Sequence, residues 1–139
     1  MPLYALDTDT VSLFRDGHPR VVARVAAQPP ADVRITAITV DEQVDGWLKY
    51  IRQATRPDGI ERGYAELVKS VKALAKYPVL PYTPAAIAGY EALLKQKLNV
   101  DKNDLRIAAI ALEFGAIVVT HNVRDFRRVP NLLIEDWSV

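Results

Sequence analysis

Four acids stand out by type and position: Asp7, Glu42, Asp104 and Asp125. Asp7 ends the short apolar run Leu3-Tyr4-Ala5-Leu6, and Glu42 lies just beyond Val33-Arg34-Ile35-Thr36. Asp104 opens an apolar stretch that runs to Phe114, and Asp125 comes soon after Ala116-Ile117-Val118-Val119. Asp9 and Asn122 are close by in sequence. Carboxylate oxygens are hard donors that suit Mg²⁺ or Mn²⁺. Gathered without a cation, they repel one another and raise each other's pKa, a cost that a divalent ion removes. Such an ion activates water and stabilises the leaving oxygen in phosphodiester hydrolysis.

Each acid also has a plainer reading. Asp7 is placed to cap a helix opening in Thr8-Asp9-Thr10. Thr39 and Glu42 have the N-cap and N3 spacing of a capping box, and Asn122 and Asp125 repeat it. Asp104 falls in a helix first turn, where negative charge favours the helix dipole. Helix N-termini of an α/β fold all face one sheet edge, with or without a metal. Residue types alone leave both readings open.

Other chemistries find little support. The chain has no cysteine, hence no disulfide framework, thiolate nucleophile or Cys-ligated zinc. Ser12, Ser70 and Ser138 lack a nucleophile-elbow setting. No GxGxxG or GxxxxGK[ST] phosphate cradle occurs. The two histidines, His18 and His121, are far apart and read as loop or solvated residues. Arg124, Arg127 and Arg128, with Lys102 and Arg106, are candidates for a basic rim around the acids. Trp47 and Trp137 read as core or interface residues.

The elements that must position these groups alternate short apolar runs with longer helical stretches, the pattern of parallel strands joined by crossover helices. Strands are expected at 3–6, 33–36, 79–80, 116–119 and 132–134. Between them, Val21, Val22 and Val25 line a short helix bounded by Gly17-His18-Pro19 and Pro29-Pro30. Val40, Val44, Leu48 and Ile51 have helical period, as do Ile60, Tyr64, Leu67, Val68, Val71 and Leu74. Thr83-Pro84 starts a third such stripe with Ile87, Tyr90, Leu94 and Leu98. Asn103 is expected to cap the helix from Asp104 to Phe114. That helix is apolar nearly all round and so buried on most sides. The fold class is α/β, with a central, mostly parallel sheet of about five strands covered by helices on both faces. Ligands of such sheets bind beyond the strand carboxyl ends, the edge that the four acids share.

With 139 residues, 50% of them hydrophobic and 25% charged, the chain reads as one domain over 1–139 and not as a disordered tail. No apolar run approaches the ~20 residues of a membrane span. The N-terminus lacks the basic and apolar regions of a signal peptide, so a soluble, cytoplasmic protein is expected. The net charge is only +1, so any nucleic acid must be held by a local patch and not by a global field.

Four segments, in order, carry a resemblance that spans nearly the whole chain. They are Tyr4-Ala5-Leu6-Asp7-Thr8-Asp9, Ile35-Thr36-Ala37-Ile38-Thr39-Val40-Asp41-Glu42, Asn103-Asp104-Leu105-Arg106-Ile107-Ala108-Ala109, and Val119-Thr120-His121-Asn122-Val123-Arg124-Asp125-Phe126 with Glu135-Asp136-Trp137. The sequence resembles PIN-domain ribonucleases, and among them the VapC-type toxins of toxin–antitoxin pairs. The resemblance implies a PIN-like fold, Mg²⁺- or Mn²⁺-dependent cleavage of RNA, a homodimer, and a cognate antitoxin docked in an apolar groove beside the acids. It matches Asp7, Glu42 and Asp104 to the family's three core acids. For the fourth it offers two positions, held here by Asn122 and Asp125. With Asp125 taken as the fourth ligand, Thr8, Thr120, Asn122 and Arg124 are left to orient ligands, water or phosphate. The rival expectation is a non-catalytic PIN-like interaction domain whose acids are only caps. A phospho-acceptor receiver domain is a third reading. It is opposed by the lack of a Lys after the last core strand and by Asp104 opening a helix.

Overall fold

The computed structural model of the chain describes residues 2–139. Leu3–Leu6 forms β1, followed by α1 (Thr8–Arg15), α2 (Pro19–Ala26), β2 (Val33–Thr36), α3 (Ala37–Gln53) and α4 (Pro57–Leu74). Then come β3 (Val79–Leu80), α5 (Pro84–Lys95), α6 (Lys102–Phe114), β4 (Ala116–Val119), α7 (Val123–Phe126) and β5 (Ile134–Glu135). Among the described residues five strands pair in the order β3-β2-β1-β4-β5. Every pair is parallel, so the expected mostly parallel sheet is wholly so.

The winding decides where a site can form. From β1 the chain builds outward through β2 and β3, then crosses back to lay β4 and β5 on the other side. The reversal between β1 and β4 leaves a crevice at their carboxyl ends. Leu6 is in register with Val119, and the Asp7 amide donates to the Val119 carbonyl at 3.0 Å. The first acid therefore leaves the sheet at the switch point.

Side chains alternate across the strands. Ala5 and Val118 enter the layer under α5 and α6, with Tyr90, Leu93, Ile107, Ile110 and Phe126. Tyr4, Leu6, Ile35 and Val119 enter the opposite layer, with Val11, Val21, Leu74 and Trp137. Trp137 is a core residue, its ring meeting Tyr4 edge-on at 4.9 Å. Trp47 is half-buried against Tyr50.

Several boundaries differ from expectation. The last strand is Ile134–Glu135. It lies two residues later than its most apolar stretch suggests, because the pairing of Val118 with Ile134 sets the register and leaves Leu133 exposed. The N-cap of α6 is Asp101, which accepts from the Asn103 amide, and Asn103 is already helical. Two helical stripes are only partly spent on the core. On α4, Ile60, Tyr64, Val68 and Val71 are exposed while Gly63, Ser70 and Leu74 are buried. On α5, Ile87 and Leu94 are exposed while Ala86, Tyr90 and Leu93 are buried.

The α3–α4 pairing depends on a small residue at its closest approach. A Cβ added at Gly63 would lie 2.6 Å from Ile51 Cγ1 and 3.0 Å from Tyr50 Cδ1. The first contact forces the Ile51 side chain to move and the second asks Tyr50 to give by a few tenths of an ångström, both on α3, the helix that carries Glu42. Gly63→Ala is expected to lower the urea-unfolding free energy by roughly 1–3 kcal/mol, the usual cost of overpacking, even though alanine is the better helix former. A stability equal to or above wild type would show that the seam can open freely.

Candidate active site

The site is built from turns that leave the sheet at one edge. Asp7 follows β1 in extended backbone and caps α1, its Oδ1 accepting from the Thr10 amide at 2.9 Å. Only 4% of the residue is exposed. Burial raises the pKa of its carboxyl, and hydrogen bonds from Thr120 and Thr10 hold back part of that rise. Asp7 is thus both a cap and a buried carboxylate at the switch point. The two readings of this residue do not compete.

Glu42 comes out differently from its sequence spacing. The cap of α3 is Thr36, whose hydroxyl accepts from the Thr39 amide at 3.2 Å. The helix starts one turn earlier than the Thr39–Glu42 box implies, and Glu42 has no N3 duty. Its Oε1 instead accepts from Thr8 Oγ1 at 2.6 Å, which aims it across the crevice toward the end of β1. Beside it, the buried Gln43 donates to the Thr8 carbonyl and to Ser12 Oγ, and it accepts from Arg15. Gln43 is the strut that fixes α3 against α1, and no sequence motif marks it.

Asp104 lies in the first turn of α6. Its pKa is raised to about 7, first by desolvation, then by the charges of Asp101, Asp7, Glu42 and Asp9. This links Asp104 electrostatically to four other acids. Among the described residues, neither Asp7, Glu42 nor Asp104 forms an ion pair with a Lys or Arg. Asp101 was missed by sequence reasoning. Its N-cap spacing to Asp104 is the signal that could have found it.

The fourth position is shared. Asn122 Nδ2 donates to Asp125 Oδ2 at 3.0 Å and reaches Asp104 Oδ2 at 3.5 Å. Its backbone amide donates to Thr120 Oγ1 at 2.8 Å. Asn122 makes no side-chain cap on α7, so the expected capping pair is instead an amide that bridges two carboxylates. Asp125 also meets Arg128 at 3.4 Å, and Arg128 is further held by the Asn99 carbonyl. Thr8 contacts Glu42 and Thr120 contacts Asp7, whereas Arg124 is exposed.

The donors are all hard oxygens, and among the described residues Asp7, Glu42 and Asp104 have no Lys or Arg in ion-pair distance, so the set fits a divalent ion in kind. Among the described residues no group of three or more His, Asp or Glu side chains is closed tightly enough to enclose a metal. Glu42 is turned to Thr8, and Asp125 to Asn122 and Arg128. A second constellation, His121 with Asp136 and Ser138, is not a nucleophile relay. Asp136 and Ser138 both meet the same ring nitrogen, Nδ1, whereas a relay needs its base to reach serine and acid through opposite nitrogens.

A separate cavity of about 550 Å³ lies between α1, α2 and α4, walled by Val11, Phe14, Val25, Leu74 and Tyr77. It is mostly apolar, and burial pushes the Tyr77 phenol up to about 12. Gln43 and Arg15 stand in its wall, so it adjoins the acid site through the Thr8–Gln43 strut.

A parallel sheet with acids gathered at its switch point defines a class that comparison with known proteins names. A PIN domain model matches residues 4–132, and the chain belongs to the PIN-domain family. Within it the likeness runs to VapC proteins. The chain is 30% identical over 138 residues to ribonuclease VapC2 of Haemophilus influenzae, covering 96% of this chain and 97% of that one. It is 27% identical over 143 residues to ribonuclease VapC1 of another strain, covering 98% of each. Among solved structures, VapBC-1 from nontypeable Haemophilus influenzae superposes with a TM-score of 0.77 at 25% identity, covering 99% of both chains.

Proposed function

We propose that this chain is an endoribonuclease that depends on Mg²⁺ or Mn²⁺ and acts as the toxin of a toxin–antitoxin pair. The observation that carries the reading is the gathering of Asp7, Glu42 and Asp104 at one sheet edge, Glu42 held by the residue next to Asp7, with no Lys or Arg among the described residues in ion-pair distance of the three; the crowding also pushes the Asp104 carboxyl up. Caps alone do not require such crowding, and Glu42 is not a cap at all. The ribonuclease names of the full-length relatives support the same chemistry.

In this reading Asp7, Glu42 and Asp104 would hold the ion, with Asp125 joined to them through Asn122. The bound ion supplies an activated water and charge neutralisation at the scissile phosphate. The protein supplies position. Thr8 aims Glu42, Thr120 aims Asp7, and Asn122 holds Asp104 and Asp125 together. Among the described residues no side chain need act as a covalent nucleophile. Arg124, exposed at the rim, is free to touch the phosphate backbone, which gives register without reading sequence.

An antitoxin partner is supported by the VapBC assemblies among the solved relatives and by the apolar cavity beside Gln43. The exposed apolar residues of α4 and α5 offer area to that partner and to a second copy of the chain. Among the described residues no helix is long and apolar enough to cross a membrane, and the cytoplasmic RNA pool is the substrate this reading calls for.

The direct test is incubation of the purified chain with structured RNAs in Mn²⁺ or Mg²⁺, with EDTA as control. Internal cleavage with metal and none in EDTA is expected. Intact RNA under both conditions would favour the non-catalytic interaction domain.

A further inference from the structure

Arg106 is held in an unusual way for a half-buried cation. Its Nη1 donates to Asn103 Oδ1 at 2.7 Å. Its guanidinium carbon lies 4.6 Å from the centroid of the buried Tyr90 ring. Among the described residues no carboxylate comes within ion-pair distance of it. A guanidinium has five donors in a rigid fork, and its bonds to Asn103 and to the Tyr82 hydroxyl leave others unspent. The side chain is already immobilised by the Asn103 bond and the cation–π contact. Little entropy remains to be lost when an anion arrives.

Its surroundings favour a nucleotide over a simple anion. Asn103, which orients it, is the residue next to Asp104. On its other side stands Tyr82, in the turn after β3 and at the same sheet edge. The Tyr82 ring packs on the α5–α6 core and is half-buried. Its hydroxyl accepts a hydrogen bond from the Arg106 side chain, which holds the two groups together. The pair thus sets a guanidinium beside an aromatic ring at the sheet edge of the acids, Arg106 standing two residues after Asp104 on α6.

We propose that Arg106 and Tyr82 form a seat for the nucleotide flanking the scissile phosphodiester, Arg106 gripping its phosphate and Tyr82 stacking its base. This rests on the ribonuclease reading and deepens it. Both are positioning residues that act on binding. Arginine suits planar, bidentate phosphate recognition where lysine does not. Stacking on tyrosine is tolerant of base identity, so the seat fixes register more than sequence.

The test uses the full chain and a fluorescent single-stranded hexanucleotide RNA. Anisotropy is read in EDTA over a range of salt, and steady-state cleavage is read in Mg²⁺. Arg106→Gln is expected to raise KM about tenfold, to lower kcat much less, and to reduce the salt slope of binding by about 0.7, the value of one single-strand phosphate contact. Tyr82→Leu is expected to cost about tenfold in affinity, the scale of one base stack, and Tyr82→Phe to restore it. A role in packing alone would lower the melting temperature and leave salt slope and KM unchanged, which overturns the seat while the cleavage reading stands. Equal competition by hexaglutamate would assign the seat to a peptide carboxylate and also overturn it. A wild-type chain that neither binds nor cleaves RNA overturns both readings.

Discussion

Asp7→Asn is expected to reduce metal-dependent RNA cleavage by about 10³-fold or more while leaving the metal-free fold at least as stable as wild type. The activity loss follows from removing a charged ligand. Several kcal/mol of transition-state stabilisation are at stake, and each 1.36 kcal/mol is a factor of ten. The stability expectation follows from burial. Asp7 Oδ1 caps α1 by accepting from Thr10, and asparagine keeps that oxygen and caps about as well as aspartate. What it loses is a charge whose protonated form burial already favours. Thermal melting in EDTA should therefore place the variant at or above wild type, and Mn²⁺ should raise its melting temperature far less. Wild-type cleavage by a folded Asp7→Asn protein would remove Asp7 from the reaction and, with it, the present reading of the crevice. An unstable variant would instead show that the Asp7 charge holds the fold through its contacts with Thr10 and Thr120.

Much of this site could be read from the sequence, and the misses share a cause. Asp7 is legible because an apolar run ends abruptly in an acid, the mark of a buried strand meeting a crevice. The place of Glu42 is legible from resemblance, but its freedom is not. Thr36 and Thr39 stand one turn apart, either can cap, and only the strand register of β2 decides that Thr36 does so. The role of Asn122 was hidden for a similar reason. Its N-cap spacing to Asp125 is local, whereas its reach to Asp104 depends on how α6 lies against β4. Gln43 carries no local signal because its partners Thr8, Ser12 and Arg15 are on another helix. Periodicity marked α4 and α5 as helices, yet it could not say which neighbour covers each apolar face. On both helices part of the stripe is uncovered. Local pattern thus locates elements and their ends, while the chemistry of the site depends on cross-chain pairings that pattern does not encode.

Those pairings make the response to pH the second large effect. In the folded chain Asp104 is raised from 3.8 to about 7, and Asp7 is raised as well. A carboxyl with a raised folded pKa binds protons more tightly folded than unfolded, so metal-free stability rises as pH falls through about 7. The gain continues down toward the ordinary carboxylate range. Asp136, lowered by its bonds to Ser138 and His121, acts with the opposite sign, but only below that range. Between pH 8 and pH 6 the metal-free melting temperature should therefore rise. Metal binding should run the other way, because the ligand must be deprotonated. Where one proton competes with the ion, affinity for Mn²⁺ should fall about tenfold per pH unit below 7. Stabilisation by the ion follows its ratio to the dissociation constant, so the Mn²⁺-induced shift should be large at pH 8 and much smaller at pH 6. Asp104→Asn should abolish most of both dependences. Differential scanning fluorimetry in EDTA and in Mn²⁺ at the two pH values measures all four states. Parallel shifts at pH 6 and pH 8 would mean that the proton on Asp104 and the ion do not compete, and that the acids at this sheet edge do not share one cation.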